Sequence, residues 1–415
     1  MSFVPGNHKT ICIAFPSEEH YQNCMTDKVR IREYLDKSYS QHPELFPDAF
    51  KGGYVLHGFV YSKKQAIKTR RIKLVENEEA YQIRPSFLMP YMIARAEDVE
   101  KGLYFKRWGV PFEALAYGFG HDAMFWYRAY VSIGRNSIVG STVKEADKLP
   151  ADVVVDEKHS WLHGQKVYIP TTVAQECILG ADLADDAGTK ALTQGYKTFK
   201  TESRQLDPTY SPETVNTDGW QATQNAWQAL FPKITFILCF LHAFLKIKER
   251  CRSCPHLLKV MGQKVWDAYH APTKAHFSQR IRRLREWGHQ HLRGSVQDKL
   301  LTLCHKAPQF KLAFDFPTAY RTSNALDRLM NYQDRILYAM QYLHGNKDSA
   351  RLYVRAMALL WNFHPYGRQT QAKYQGKRIS PFEGLNGFRY HDNWLHNLLI
   401  ASSLQGQSFK TQNPL

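Results

Sequence analysis

Apolar and polar positions alternate between Gly53 and about Pro85: GYVLHGFVYS, IKTRRIKLV and AYQIRPS each carry a period of two, which predicts short β-strands. Arg70, Arg71 and Lys73 fall on or beside the middle strand. Residues 1–50 show no such order and read as polar and irregular. From Ala94 the period lengthens to that of a helix, and residues 94–134 divide into three helical pieces. Trp108-Gly109-Val110-Pro111 separates the first from the second, with Pro111 suited to a helix start. Gly118 to Gly120 separates the second from the third, for which Asp122 is the expected N-cap.

After a linker at 134–150 the texture changes. ADVVVDEKHSWL, QKVYIPTTVAQ and CILGADLAD predict three strands, followed by a helix at TKALTQGYKTFKTESRQL. Then come a strand (PETVNTDGW), a helix (QATQNAWQALF) and a strand (KITFILCFLH). Three strands followed by alternating helix and strand predict an α/β fold with a mixed sheet. Residues 246–318 are helical and basic, and SNALDRLMNYQDRILYAMQYLHG (323–345) predicts a long helix capped by Ser323 or Asn324. The last seventy residues are basic and aromatic. The expected divisions are 1–93 (short strands), 94–149 (three helices and linker), 150–245 (first part of the α/β core), 246–318 (helical insertion), 319–345 (last core helix) and 346–415.

Charge narrows the function classes. The 415 residues carry 55 Lys and Arg against 38 Asp and Glu, a net charge of +17, which favours a polyanionic partner. The excess is clustered: residues 244–300 hold thirteen basic and four acidic side chains. RIRRLREWGHQHLR is the densest run, and Arg280, Arg282, Arg283, Arg285 and Arg293 are its candidate phosphate contacts. A solvated helix face would mix signs more evenly. Trp266 and Trp287 read as core anchors. Short helices joined through glycine turns suit a helix-turn-helix, with His121, Tyr127 and Arg128 facing outward into a DNA groove; an ordinary three-helix packing unit is the alternative. The start lacks a signal peptide, the longest apolar run (234–245) is too short to span a bilayer, and seven scattered cysteines do not form a disulfide framework. These features lead to the expectation of a cytoplasmic protein away from membranes.

Three aspartates stand out. Asp156 lies inside the apolar strand VVVDEKHSW, Asp218 where VNTDGWQAT turns, and Asp327 on the helix RTSNALDRL. Carboxylates converging from distant segments suit hard divalent cations, which take oxygen ligands and act on phosphates. Each alone has a plainer reading as a structural hydrogen-bonding group or a turn former. Glu157 points to the opposite face of its strand and is left out. Zinc is a competing idea: Cys251-x-x-Cys254 with His256, helped by Cys239 or His242, and His8, Cys12, His20 and Cys24 near the start. The first lacks a second ligand pair and lies in what reads as continuous helix.

Taken together, the strand carrying Asp156, the NTDGW turn with Asp218, the string CFLH (Cys239 to His242) and TSNALDRL with Asp327 resemble the DDE/DDD transposases of bacterial insertion sequences, especially those allied to the Mutator-like group. The resemblance runs from about 94 to 400. It implies a ribonuclease H-like mixed sheet with a helical insertion, preceded by the β-rich segment and the helix-turn-helix. CFLH is similar to the group's C/D-x-x-H motif, and TSNALD to its TTNAIE, with aspartate standing where the group usually has glutamate. Aspartate, one methylene shorter, still ligates a divalent cation; Asp334, seven residues on and on the same helix face, is the reserve, ahead of Asp315 and Glu286. The resemblance further implies two Mg2+ or Mn2+ ions about 3.5–4 Å apart held by Asp156, Asp218 and Asp327. It implies cleavage at transposon ends, transfer of the freed 3′-hydroxyl into target DNA, and a homo-oligomer assembled on double-stranded DNA. A catalytically inactive DNA-binding derivative and a nuclease that cuts without joining are the competing readings.

Overall fold

The computed structural model describes residues 9–252, 254–376 and 378–407. The chain opens with β1 (Thr10–Ile13), α1 (Glu18–Thr26) and α2 (Lys28–Gln41), then β2 (Tyr54–Ser62), β3 (Ile67–Leu74) and β4 (Ala80–Pro85). Residues 9–50 therefore carry a strand and two helices, against expectation. Their helices bury only Tyr21, Cys24 and Met25, and Ile31 and Leu35, too few apolar positions to show as a period. The strands form a sheet in the order β1-β4-β3-β2, in which β1 runs parallel to β4 and the other pairs are antiparallel.

Three helices follow, α3 (Ala96–Lys106), α4 (Phe112–Phe119) and α5 (Ala123–Ile133), then the short α6 (Ile138–Thr142). Asp122 caps α5 as expected, its carboxylate accepting the Phe125 amide at 2.6 Å. A second sheet is built from β5 (Asp152–Leu162), β6 (Gln165–Ala174), β7 (Cys177–Ala181), β8 (Thr214–Thr217) and β9 (Thr235–Leu238), with α7 (Thr189–Leu206) before β8 and α8 (Gln221–Leu230) before β9. Its order is β7-β6-β5-β8-β9: β6 is antiparallel to both β5 and β7, and β5, β8 and β9 are parallel. The protein is a mixed α/β structure with two mixed sheets.

Beyond β9 the chain is helical: α9 (Phe240–Arg250), α10 (Pro255–Tyr269), α11 (Lys274–His291), α12 (Gly294–His305), α13 (Ala307–Lys311), α14 (Asn324–Ala339), α15 (Lys347–Phe363), α16 (Arg368–Lys373), α17 (Pro381–Asn386) and α18 (Trp394–Ala401). Two local expectations are corrected. CFLH begins a helix rather than ending a strand, and the helix expected to continue through Cys251 breaks between Arg250 and Pro255. Among the described residues, no helix is long and apolar enough to cross a membrane, and Cys12, Cys24, Cys177, Cys239, Cys251 and Cys304 are free thiols.

The alternation of side chains along β5 sorts the core. Val154 faces a layer made by α3, α5, α14, α15 and α18, while Val153 and Val155 face α7 and α8. Eleven residues of α15 are buried, so the basic, aromatic end of the sequence supplies a central helix of the core. Helices α9 to α13 keep a separate apolar cluster around Ile247, Val265, Phe277 and Leu300.

Candidate active site

Parallel strands align their carboxyl ends on one edge, and in open α/β sheets that edge is where ligands bind. Here β5, β8 and β9 deliver Asp156, Asp218 and Cys239 to it. Asp156 follows the stretch of β5 paired with β8 and lies opposite Thr171 of β6. Asp218 comes directly after β8, held in a tight turn: its carboxylate accepts the Trp220 amide at 2.8 Å, and Gly219 supplies a φ of +90°. The Cys239 amide donates to Thr217 O at 2.8 Å, which ties the end of β9 to the end of β8.

Asp327 reaches the same edge because the loop before α14 is pinned to the strand ends. Asn216 donates to Tyr320 O at 2.8 Å, and the Phe240 amide to Arg321 O at 3.1 Å. The Ser323 amide donates to Cys239 Sγ at 3.2 Å. Ser323 is the N-cap of α14, yet its hydroxyl does not cap the backbone. It donates to Asp327 Oδ1 at 3.3 Å, receives the Cys239 thiol at 3.4 Å, and lies 3.4 Å from His242 Nδ1 in the first turn of α9. Farther along, α14 is fixed to the sheet by Gln333, which donates to Thr171 Oγ1 at 3.2 Å, and by the ion pair Lys158–Asp334 at 2.5 Å.

The electrostatics join these groups into one site. Burial raises the pKa of Asp156, and the negative charges of Asp218 and Asp327 raise it further, while His242 and the Glu157 amide work against them. The hydrogen bond with Cys239 raises His242 against the effect of burial; the Cys239, Asp156 and Asp218 charges add to the rise, to about 9. Burial works to raise the Cys239 thiol, but its hydrogen bonds with His242 and Ser323 outweigh it and the net direction is down. A cationic imidazole therefore stands among three carboxylates, none of which is ion-paired to lysine or arginine among the described residues.

The reserve acids are engaged elsewhere. Asp334 is exposed and paired with Lys158, Asp315 is paired with Lys274, and Glu286 lies with Arg282 on the exposed side of α11. Glu157 faces α7 and α8 as expected, accepting Tyr196 Oη and Thr223 Oγ1 at 2.7 Å each, and burial pushes its pKa up to about 7. Sequence reasoning missed Ser323 as the link between the two halves of the site; its place just before an acid-bearing helix turn was the available signal.

Of the other candidates, Arg128 and His121 are exposed on α5 and the turn before it, but Tyr127 does not face outward. It is half-buried, packed edge-on to Phe112 at 5.7 Å and stacked with Tyr353 at 6.4 Å, because α5 is embedded in the core beside α15. Arg282, Arg283 and Arg285 are exposed on α11, whereas Arg280 donates to Asp267 O and Arg293 folds back on His289 O and Leu292 O. Trp266 and Trp287 are packed against neighbouring side chains, as expected of core anchors. Among the described residues, no three His, Cys, Asp or Glu side chains are grouped closely enough to hold a metal ion as they stand. Cys251 is buried while Cys254 and His256 are exposed, and Cys12 and Cys24 belong to different core clusters; His8 lies outside the described residues. Compared with known proteins, the sequence matches no family model and no curated relative.

Proposed function

We propose that the protein is a metal-dependent DNA transposase with a ribonuclease H-like core, allied to the Mutator-like insertion-sequence group. The observation that carries the reading is the convergence of Asp156, Asp218 and Asp327, from segments up to 171 positions apart, on one edge of the second sheet. The sheet order, with three antiparallel strands followed by two parallel ones, supports the ribonuclease H-like assignment. The insertion α9–α13 lies between the second and third acids, as that reading requires.

The donor set suits a hard divalent cation. It is made of carboxylate oxygens, one of them buried and destabilised by its neighbours' charge, with no ion pair to lysine or arginine among the described residues. Asp156, Asp218 and Asp327 would hold the ions. When bound, Mg2+ or Mn2+ activates the attacking oxygen and stabilises the leaving oxygen of a phosphodiester. The protein's own groups set the stage for that. Ser323 orients Asp327, the Asp218 turn fixes its carboxylate at the strand end, and His242 holds a proton on the imidazole facing the acids. The exposed arginines of α11 suit double-stranded DNA as partner, and such a protein would reside with the nucleoid in the cytoplasm as a homo-oligomer on DNA ends.

The test is a metal-dependent nick in a labelled duplex carrying the element's own terminal repeat. Asp156→Asn and Asp327→Asn each lower cleavage by roughly a hundredfold or more, since even outer-shell partners of metal ligands contribute up to that much. Asp334→Asn leaves cleavage intact. Undiminished cutting by a folded Asp218→Ala variant overturns the reading, and salt-sensitive binding without cutting by the wild type selects the inactive derivative instead.

A further inference from the structure

A cavity of about 870 Å³ opens on the flank of α14 and is not used by the chemistry above. Arg328, the residue after Asp327, and Arg335 line it from α14; Arg107 lines it from the end of α3; Arg368 and Lys373 line it from α16. Among the described residues none of these five cations forms an ion pair, and the one carboxylate in the lining, Glu176, accepts hydrogen bonds from Tyr366 Oη at 2.6 Å and Tyr374 Oη at 3.0 Å. Five cations against the single Glu176 carboxylate leave the cavity with an excess of positive charge.

Its walls are aromatic. Arg107 lies 4.4 Å from the Trp361 ring centroid and 5.0 Å from those of Trp108 and Tyr332, and its buried Nε has no hydrogen-bond partner. Arg335 lies 5.6 Å from the Trp108 ring. The turn at Gly109, with φ +86°, lets Arg335 lie this close, because a Cβ there would stand 2.7 Å from its Cγ. Trp108 remains 43% exposed, so one ring is open to a ligand. Unpaired guanidinium groups beside an open aromatic ring, in a concave site, are the elements that bind an unstacked nucleotide: the cations take phosphates and the ring takes the base. A helix face laid on duplex DNA needs neither the concavity nor the rings.

We infer that this cavity holds a single-stranded nucleotide segment of the DNA next to the bond that is cut. The identity of the ligand as DNA rests on the proposed function; the cavity's preference for unpaired over paired nucleotides does not follow from it. The test compares, by fluorescence anisotropy at fixed salt, a blunt duplex with the same duplex carrying a short unpaired thymidine tail. The wild type binds the tailed duplex roughly tenfold more tightly, the contribution expected of base–aromatic stacking. Trp108→Ala removes that preference and leaves blunt-duplex affinity unchanged, and so does Arg368→Ala, on an exposed helix where folding is not at risk. Equal affinity for the two probes, or a tail preference surviving both substitutions, overturns the inference while metal-dependent cleavage still stands. Failure to bind either probe overturns the DNA reading with it. Saturation by thymidine monophosphate as tight as by the tailed duplex assigns the site to free nucleotides instead.

Discussion

Cys239 and Ser323 are small side chains with a large structural consequence, because their contacts join the end of β9 to the start of α14 in a buried place. Cys239→Ala leaves the Ser323 amide and hydroxyl short of a partner, and the expected loss is about 1–3 kcal/mol in urea unfolding; an unchanged midpoint would show the contact to be incidental. Lys106 offers a residue whose effect depends on pH. It is buried, donates to Val110 O at 3.2 Å and sits 4.1 Å from the Phe112 ring centroid, and burial lowers its pKa to about 7. The unfolded chain keeps that lysine near about 10.4, so between these values it binds more protons than the folded protein. Stability therefore rises with pH across this window, by up to about 1.4 kcal/mol per pH unit. Lys106→Met lacks this titration. Its stability advantage over the wild type should shrink by about 1 kcal/mol or more between about pH 7 and about pH 9, as read from urea midpoints; a constant difference rules the effect out. At this scale the sequence made Asp156, Asp218 and Asp327 legible through their motifs. Helix spacing alone does not separate Asp327 from Asp334; the likeness of TSNALD to the group's motif put Asp327 first, and the register of α14 on the sheet brings Lys158 to Asp334.

Helix α15 explains why elements were read unevenly. From Ala356 to Trp361 its sequence is an unbroken apolar run, so no stripe there marks which face meets a partner, and the structure buries the helix between α5 and the sheet. The closest approach is at Gly134, where a Cβ would stand 1.9 Å from Leu352 O. Gly134→Ala should cost about 1–3 kcal/mol, the usual range for overpacking and toward its upper end because backbone blocks the way. Gly118→Ala, on the exposed side of α4 with nothing near its Cβ, should instead gain up to about 1 kcal/mol from helix propensity. Thermal melts of the pair separate close packing from propensity, and a Gly134→Ala protein as stable as the wild type would mean that α5 and α15 slide apart freely. The alternating strands and the helices of the second sheet were legible because each buries one face and leaves the other polar. The first two helices were not, since their five buried side chains are spread over twenty-three residues. Nor was the embedding of α5, whose exposed turn suggested a DNA-facing helix while Trp126, Ala129, Tyr130 and Ile133 turn inward.

Over the whole molecule the +17 charge is spread unevenly. Some of it is internal: Arg355 sits in the core, donating to Gly134 O, Asn136 O and Glu202, and holds α15 to α7. Some is committed to backbone, as with Arg280 and Arg293. Left for an outside polyanion are the cations of the cavity beside α14 and the exposed face of α11, where Arg283 and Arg285 form no ion pair among the described residues. This division makes a prediction that overall charge alone does not. If α11 contacts DNA phosphates, each contact releases close to one counterion, so replacing Arg283 and Arg285 together with glutamine should flatten the plot of log affinity against log salt by about 1 to 2. Binding should weaken to a similar degree on all duplex sequences, because phosphate contacts position a protein without reading bases. Arg280→Gln removes the same charge but also a tie between α10 and α11, so it should lower thermal stability, which the exposed pair should leave unchanged. A salt slope unaltered by the double substitution would move the duplex contact away from α11 and onto another basic surface.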